Sequence, residues 1–176
     1  MILTGATQLE TLRLFPPIMS LPKETGEQPQ RLQVGSQSIV IPSNTMIYIN
    51  ALATHTNSQY WRNSLKWTPS RWIHKTSADL SPTTTTETLI TPPRDTYFPW
   101  SDGPQNCPGL KFSQVEFVAV LALLLQKHRL KAVTHLGEST EQTQIRVLSV
   151  VNDCDAQMLL RMKKSDQVRV QCEKMK

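Results

Sequence analysis

The sequence predicts a mainly helical fold that carries small antiparallel β-sheets. Three observations predict it: leucines at helical spacing precede a Phe-Pro-Pro stop, apolar residues alternate between residues 31 and 50, and a long apolar segment follows residue 109. The 176 residues suit one domain. A hydrophobic share of 39% with only 19% charged residues excludes a coiled coil, a collagen-like repeat and a highly charged disordered tail.

Charge and cysteine usage narrow the functional classes. The net charge of +5 permits an acidic partner but does not establish nucleic-acid binding, so we expect no nucleic-acid partner. The three cysteines are widely spaced and form no C-x-x-C pair, so we expect neither a disulfide framework nor a structural zinc site. The four histidines have no ligand-like spacing and are expected to be structural or exposed. The sequence contains no run of about 20 apolar residues, so it does not predict a membrane span.

The first half of the chain is predicted to start with a helix and to continue with short strands. Leucines at helical spacing predict a helix over residues 1–14, which Pro16 and Pro17 end. Alternating apolar residues predict strands within 31–50, with a hairpin turn at Gly35. A second β-prone run and a short helical turn complete this half, at residues 46–49 and 51–55.

The second half is organised around one long helix. Residues 110–128 are apolar on nearly all sides, which predicts a buried helix. Before it, residues 61–73 are aromatic and irregular, and the low complexity of residues 76–97 predicts a flexible insertion loop. Three tryptophans are expected to anchor the irregular segment to a core: Trp61, Trp67 and Trp72. After the helix, strands are expected at residues 129–134, 144–150 and 158–163. A frayed basic tail is expected at residues 164–176.

Cys107 is the residue most suited to chemistry. It lies in a Gly/Pro-punctuated loop, residues 98–109, directly before the long helix, and Pro108 suits the first helical position. Free N–H groups and the dipole at a helix start favour an anionic sulfur. Gly103 and Gly109 remove side chains on either side of it, so a flat group can approach. A haem iron needs this geometry, whereas a buried structural cysteine is the alternative.

Glu10 and Arg13 fall on one face of the first predicted helix and can form an ion pair. An exposed pair of this kind contributes little to stability, and that is the alternative interpretation. A buried pair requires a third partner. Arg71, within the aromatic segment Trp67-Thr-Pro-Ser-Arg-Trp72, is the candidate because its guanidinium is a planar donor.

These segments, in this order, resemble the C-terminal part of a cytochrome P450. Glu10-Thr-Leu-Arg13 resembles the E-x-x-R helix of that family, and Trp67–Trp72 resembles the segment that supplies its second arginine. Phe98–Gly109 resembles the haem-binding loop, and His55 stands where the family has a histidine. The resemblance covers about residues 9–131, with helix, hairpins, meander, cysteine loop and long helix in the family's order. It implies one partial P450 domain over residues 1–176.

The resemblance implies haem b as cofactor, with Cys107 as the proximal thiolate on the iron. Glu10, Arg13 and Arg71 would form a buried salt-bridge cluster beneath the haem. Gln105 stands where the family has a basic residue that contacts a haem propionate, and a neutral amide donates a hydrogen bond without charge. The resemblance assigns six residues to the cofactor loop: Phe98, Trp100, Gly103, Gln105, Cys107 and Gly109.

The implied activity is insertion of one oxygen atom from O₂ into a small lipophilic substrate. NADPH-cytochrome P450 reductase or a similar donor would supply the electrons, and the basic residues Lys111, Lys127, Arg129 and Lys131 suit an acidic partner as well as ordinary solvated helix ends. Only nine residues precede Glu10, so we expect a truncated chain, inactive alone, whose oxygen-activating helix is absent and whose catalytic residues are therefore not identifiable.

The location implied by the resemblance is intracellular. Full-length relatives are often on the endoplasmic reticulum membrane, and membrane contact is expected only through the absent upstream region. Two alternatives stay open. One is a non-catalytic haem-binding remnant or interaction module, since a Cys-Pro pair also occurs in haem-regulatory motifs. The other is a haem-thiolate isomerase or dehydratase on the same fold.

Overall fold

The computed structural model describes residues 1–77, 85–156 and 159–175 of the chain. Within them are four α-helices: α1 (Ile2–Leu14), α2 (Ala51–His55), α3 (Leu110–Lys127) and α4 (Thr140–Asn152). The strands are β1 (Ser20–Glu24), β2 (Gln30–Val34), β3 (Gln37–Ile41), β4 (Met46–Asn50), β5 (Ile73–Ser77), β6 (Thr85–Leu89), β7 (His128–Ala132), β8 (Cys154–Ala156), β9 (Leu160–Met162) and β10 (Val170–Lys174). In this part of the chain, no helix is both long and apolar enough to cross a bilayer.

Every sheet among the described residues is a two-stranded antiparallel pair. The pairs are β1 with β4, β2 with β3, β5 with β6, β7 with β10 and β8 with β9. Gly35 has φ +58° in the two-residue turn between β2 and β3, a conformation that glycine adopts without strain. Isolated two-stranded sheets are marginally stable in water. Four of the five pairs contact a helix, whereas β2–β3 is exposed along nearly its whole length.

The core lies where α1 meets the aromatic segment. Ala6, Trp61 and Trp72 are its buried centre, with Leu9 and Tyr97 packed against it. A 3-10 turn, Pro69–Trp72, brings the Trp72 ring under α1, where the ring is 1% exposed. The helix therefore buries one face against rings, and it also packs against α3.

The sequence predicted helices with small antiparallel sheets, and the structure has both. The helix predicted over residues 1–14 is α1, and the turn predicted over 51–55 is α2. The predicted hairpin within residues 31–50 is β2–β3, followed by β4. The long helix predicted over 110–128 is α3, which starts at Leu110, so Pro108 lies before its N-cap rather than at its first position.

The strand predicted over residues 144–150 is wrong, because this segment lies inside α4. Ser139 and Gln142 form a reciprocal capping box at the start of the helix. Glu138 and Arg146 add an ion pair of 2.8 Å, and the hydrogen bonds from Arg146 to Glu138 lower the pKa of that carboxyl to about 2. These local interactions override the strand preference of the β-branched residues that α4 contains.

Two segments predicted to be irregular form strands. The flexible loop predicted over residues 76–97 is wrong in part: residues 76–77 and 85–89 pair as β5–β6, while 78–84 lie outside the described residues. The threonine-rich composition that indicated a loop also favours strands, since threonine is β-branched. The tail predicted to fray from residue 164 instead contains β10, whose backbone pairs in antiparallel register with β7.

The prediction that α3 is buried is wrong for the described chain, in which no residue of that helix is buried. α3 packs against α1, and the β7–β10 sheet follows directly at its C-terminal end. Its other faces keep large apolar side chains exposed, with Phe112 and Leu123 each 71% exposed. A helix that is apolar on all sides needs neighbours on all sides. Trp67, expected in the core, is 51% exposed because the core rings are Trp61 and Trp72.

Candidate functional site

The loop of residues 98–109 holds Cys107 by backbone hydrogen bonds on both sides of the residue. The Cys107 N–H donates to the Trp100 carbonyl at 2.8 Å, and the Cys107 carbonyl accepts from the Leu110 N–H at 3.3 Å. The loop bends through Ser101 and Gly103, both with positive φ. These contacts fix the backbone of the cysteine relative to the first turn of α3.

The side of the loop that bears the sulfur is open. Residues 102–108 are exposed, and Cys107 is a free, exposed thiol. Gln105 and Gly103 belong to this exposed stretch. Gly109 is half-buried, and a Cβ there would lie 3.7 Å from the Cys107 Sγ, in ordinary contact with it. Glycine at this position therefore keeps the flank of the sulfur clear.

Two loop side chains are anchored in the protein. The Trp100 indole donates to the Ser113 Oγ on α3 at 2.9 Å, and the Ser113 carbonyl accepts from Gln8 of α1 at 3.0 Å. Phe98 is half-buried, and its ring lies 5.1 Å from the His55 ring. The loop is thereby attached to α1, α2 and α3.

Glu10, Arg13 and Arg71, which the sequence predicted as partners, meet in the structure. Arg13 and Glu10 are both 0% exposed and form a two-pronged ion pair at 2.9 Å for each prong. Arg71 reaches the same carboxylate at 3.1 Å with its side chain 15% exposed. A charge-assisted pair with two parallel hydrogen bonds is the strong form of this interaction.

The Glu10 carboxylate receives further hydrogen bonds. The Thr68 N–H donates to Oε1 and the Trp72 indole donates to Oε2, each at 2.8 Å. Burial by itself raises the pKa of Glu10, but the hydrogen bonds from Arg13, Thr68 and Trp72 together with the charge of Arg13 outweigh it. The pKa of Glu10 therefore lies below its usual value, and the carboxylate stays ionised inside the protein.

Arg13 also organises the backbone around it. Its guanidinium donates to the carbonyls of His55 at 2.8 Å, Ser64 at 2.6 Å and Lys66 at 3.3 Å. The guanidinium carbon lies 5.3 Å from the centre of the Trp61 ring. One buried cation thus connects α1, the end of α2 and the aromatic segment.

Sequence reasoning missed two residues that connect this cluster to the cysteine loop. Tyr97 lies among four rings, within 4.7 to 6.4 Å of Trp72, His55, Trp61 and Trp100. Its hydroxyl donates to the Leu9 carbonyl at 2.9 Å, and burial, followed by the Glu10 charge, raises its pKa. The other residue is His55, whose Nε2 accepts from the Phe98 N–H at 3.0 Å. The sequence could have indicated the bond from Trp72 to Glu10, because the N–H of a buried indole needs an acceptor.

The residues present fit a haem. Among the described residues, no three His, Cys, Asp or Glu side chains cluster into a metal site. Porphyrin-held iron needs only one or two donors from the protein, and an exposed cysteine sulfur on a fixed loop is one of the donors that proteins supply. The open side of the loop leaves room for a flat group over Cys107. The arrangement is compatible with one sulfur ligand for a planar metal cofactor.

Comparison with known proteins gives the family. The model of the cytochrome P450 family matches residues 1–153. A cytochrome P450 monooxygenase of Arthrobotrys oligospora is 32% identical over 150 residues, which cover 79% of this chain and 26% of that protein. Cytochrome P450 monooxygenase 124 of Postia placenta is 29% identical over 150 residues, covering 81% of this chain and 26% of its own length.

A third relative is the phomenoic acid biosynthesis cluster cytochrome P450 monooxygenase of Leptosphaeria maculans. It is 31% identical over 160 residues, which cover 80% of this chain and 26% of that protein. The chain therefore belongs to the cytochrome P450 family, whose cofactor is haem. It spans about a quarter of the length of the curated relatives it matches.

Proposed function

We propose that the chain forms the proximal, haem-binding part of a cytochrome P450 monooxygenase, with Cys107 as the iron ligand. The observation that carries this proposal is the exposed Cys107 sulfur on a loop hydrogen-bonded on both sides of the residue, directly before α3. Membership of the P450 family supports it. When bound, the haem supplies the chemistry by which one oxygen atom of O₂ enters an organic substrate, with electrons from a reductase.

The loop residues have distinct roles in this proposal. Gly109 keeps the flank of the sulfur clear of a side chain, whereas Gly103, with φ +88°, allows the loop to turn. Phe98 and Trp100 present rings beside the cofactor and are held by His55 and Ser113 respectively. Gln105 lies in the exposed stretch and would donate a neutral hydrogen bond to a haem propionate, so part of the propionate charge must be balanced elsewhere.

The buried cluster of Glu10, Arg13 and Arg71 would act as the rigid base of the site. It fixes α1 against the segment that contains Thr68 and Trp72. α1 in turn bears the Leu9 carbonyl that holds Tyr97, the residue immediately before the cysteine loop. The cluster touches neither the sulfur nor the cofactor face, so its contribution is positional.

The exposed surface of the chain supports a role within a larger assembly. The chain exposes 13,262 Å², whereas a compact monomer of 20.0 kDa exposes about 8,700 Å². A haem on Cys107 would therefore face water unless further polypeptide covers it, and water in the site disfavours controlled oxygen chemistry. We propose that the isolated 176-residue chain binds haem but does not turn over a substrate. The same open surface also favours one alternative, a non-catalytic haem-binding module.

The proposed electron donor is an acidic reductase. Lys111, Lys127 and Arg129 are exposed at the two ends of α3 and in β7. Lys131 is a weaker candidate for this contact because it pairs with Glu173 at 2.6 Å. Positive charge at both ends of α3, of which only Lys111 lies beside the cysteine loop, suits an acidic partner through electrostatic steering. The substrate proposed for the complete enzyme is a small lipophilic molecule.

The test is the absorption spectrum of the chain reconstituted with haemin, reduced and exposed to CO. Thiolate ligation predicts a strongly red-shifted Soret band, and Cys107→Ala removes that ligand, so the band should lose its shift completely. Cys172→Ala is the matched control, because Cys172 is also a free, exposed thiol, and its spectrum should equal that of the wild-type chain. An unshifted band in the wild-type chain would contradict the assignment of Cys107.

A further inference from the structure

His55 is buried at the junction between the Glu10–Arg13–Arg71 cluster and the cysteine loop. It is the last residue of α2, and its side chain is completely buried. Its backbone carbonyl accepts from the Arg13 guanidinium at 2.8 Å, and its ring Nε2 accepts from the Phe98 N–H at 3.0 Å. One residue thus binds the central cation of the cluster and the first residue of the loop.

Hydrogen bonds continue from Phe98 to the ligand residue. The Phe98 carbonyl accepts from the Ser101 N–H at 3.1 Å, which closes the first turn of the loop. The Trp100 carbonyl, inside that turn, accepts from the Cys107 N–H at 2.8 Å. The position of the Phe98 backbone therefore sets the position of the turn to which Cys107 is attached.

The ring of His55 must be neutral, with its proton on Nδ1. A backbone N–H points at Nε2, so Nε2 has to present a lone pair, and the neutral ring then carries hydrogen on the other nitrogen. Nδ1 is buried and has no hydrogen-bond partner among the described residues. A buried unpaired N–H costs stability, which indicates that the orientation of this ring is set by the acceptor role of Nε2.

The surroundings of the ring keep it uncharged. Arg13 faces it from α1, and the rings of Tyr97 and Phe98 each lie 5.1 Å away. Burial, and then the positive charge of Arg13, lower the pKa of His55 to about 4. The histidine is thus an acceptor throughout the neutral pH range.

We propose that His55 is a positioning residue for the haem ligand, and that its neutral ring holds the cysteine loop in register with the buried arginine cluster. The consequence at Cys107 rests on the proposed haem-thiolate function, whereas the link from His55 to Phe98 does not. A space-filling role for the ring predicts different behaviour. Aromatic packing would survive replacement by phenylalanine, and the acceptor would survive replacement by glutamine.

The experiment compares His55→Phe and His55→Gln in the full 176-residue chain. Hydrogen exchange of the Phe98 amide, followed by NMR, reports the bond without haem. We expect exchange to become faster by roughly tenfold or more in His55→Phe, since a buried N–H loses its acceptor, and to return close to the wild-type rate in His55→Gln. The matched control is His135→Phe, because His135 is exposed and should leave the Phe98 amide unchanged.

Two spectroscopic readouts complete the test. The ¹⁵N spectrum of wild-type His55 should show the neutral Nδ1–H tautomer at pH 7, a result that stands even if a variant fails to fold. In the reduced CO complex, the red-shifted fraction should fall severalfold in His55→Phe and recover in His55→Gln. Retained protection in His55→Phe, an Nε2–H tautomer, or an unprotected Phe98 amide in the wild-type chain would overturn the proposal. An unshifted band in the wild-type chain with the expected exchange pattern contradicts the proposed function but supports the His55–Phe98 link.

Discussion

The region around Glu10 and Arg13 and the long helix α3 differ in how completely the described chain surrounds them. The Glu10 and Arg13 side chains are fully buried and are hydrogen-bonded to each other and to neighbouring segments. Along α3, the longest helix among the described residues, large apolar side chains are exposed. Proteins usually bury apolar side chains and expose charged ones, and these two regions show the opposite arrangement.

This difference shows which of the two regions has its bonding partners within the chain itself. The arginine cluster carries its own partners, since the Glu10 carboxylate is met by Arg13, Arg71, Thr68 and Trp72. Among the described residues, α3 contacts α1, the Trp100 side chain of the cysteine loop and, at its C-terminal end, β7. The base beneath the ligand loop is thus complete within this chain, whereas the helix that follows Cys107 offers an apolar surface for further contacts.

The largest expected effect comes from removing the central cation. Arg13→Met leaves the Glu10 carboxylate buried without its two-pronged partner and deprives three carbonyls of a donor. Breaking a buried ion pair in this way costs about 3–5 kcal/mol of the free energy of unfolding, which urea denaturation measures. Lys163→Met is the control, because Lys163 and Asp153 are exposed, and it should change little. Equal losses in the two variants would contradict the contrast between the regions.

The next effect is a dependence of stability on pH. The pKa of His55 is about 4 in the folded chain, whereas an unfolded histidine titrates near 6.5. Between these values the unfolded state binds more protons, so the stability present above pH 6.5 is lost as the pH falls toward 4. The loss is about 3 kcal/mol, and His55→Gln should remove it. The pKa of Glu10 is lowered, so the stability that its carboxylate contributes is lost only at more acid pH. Unfolding free energies that are flat from pH 6.5 to 4.5 in the wild-type chain would disprove this assignment.

The smallest effect is expected on α3. Leu123 is 71% exposed, so Leu123→Ser should change the free energy of unfolding by no more than about 0.5 kcal/mol. The same substitution at Leu21, which is 8% exposed, should cost about 2 kcal/mol or more because it removes buried apolar contacts. Urea denaturation of both variants makes the comparison. A cost at Leu123 as large as that at Leu21 would mean that α3 is covered in solution.

The sequence was most informative where chemistry and spacing coincide. Glu10 and Arg13 lie one helical turn apart, and their meeting with Arg71 follows from the need of a buried carboxylate for several donors. The position of Cys107 before a long helix could also be predicted, since glycine and proline mark the loop. The end of α1 at Leu14, with Phe15 as its C-cap, follows from the two prolines after it.

Two of the three main failures have a common physical cause, because they depend on partners that sequence spacing does not reveal. The strand predicted over residues 144–150 lies inside α4, although Ser139 and Gln142 are already spaced in the sequence as a capping box. His55 stands where the family has a histidine, but the sequence does not show its role, because that role depends on a backbone N–H that is 43 residues away in the chain. The exposure of α3 depends on what surrounds the helix, and helical periodicity reports only which residues are apolar.

The central claim is that the Cys107 sulfur is the ligand of a haem iron. The most direct test is the reduced CO spectrum of the wild-type chain beside Cys107→His, which replaces the thiolate with an imidazole but keeps a ligand for iron. We predict a strongly red-shifted Soret band for the wild-type chain, and haem binding with an unshifted band for Cys107→His. A red-shifted band that survives in Cys107→His, or one that is absent from the wild-type chain, would contradict the account.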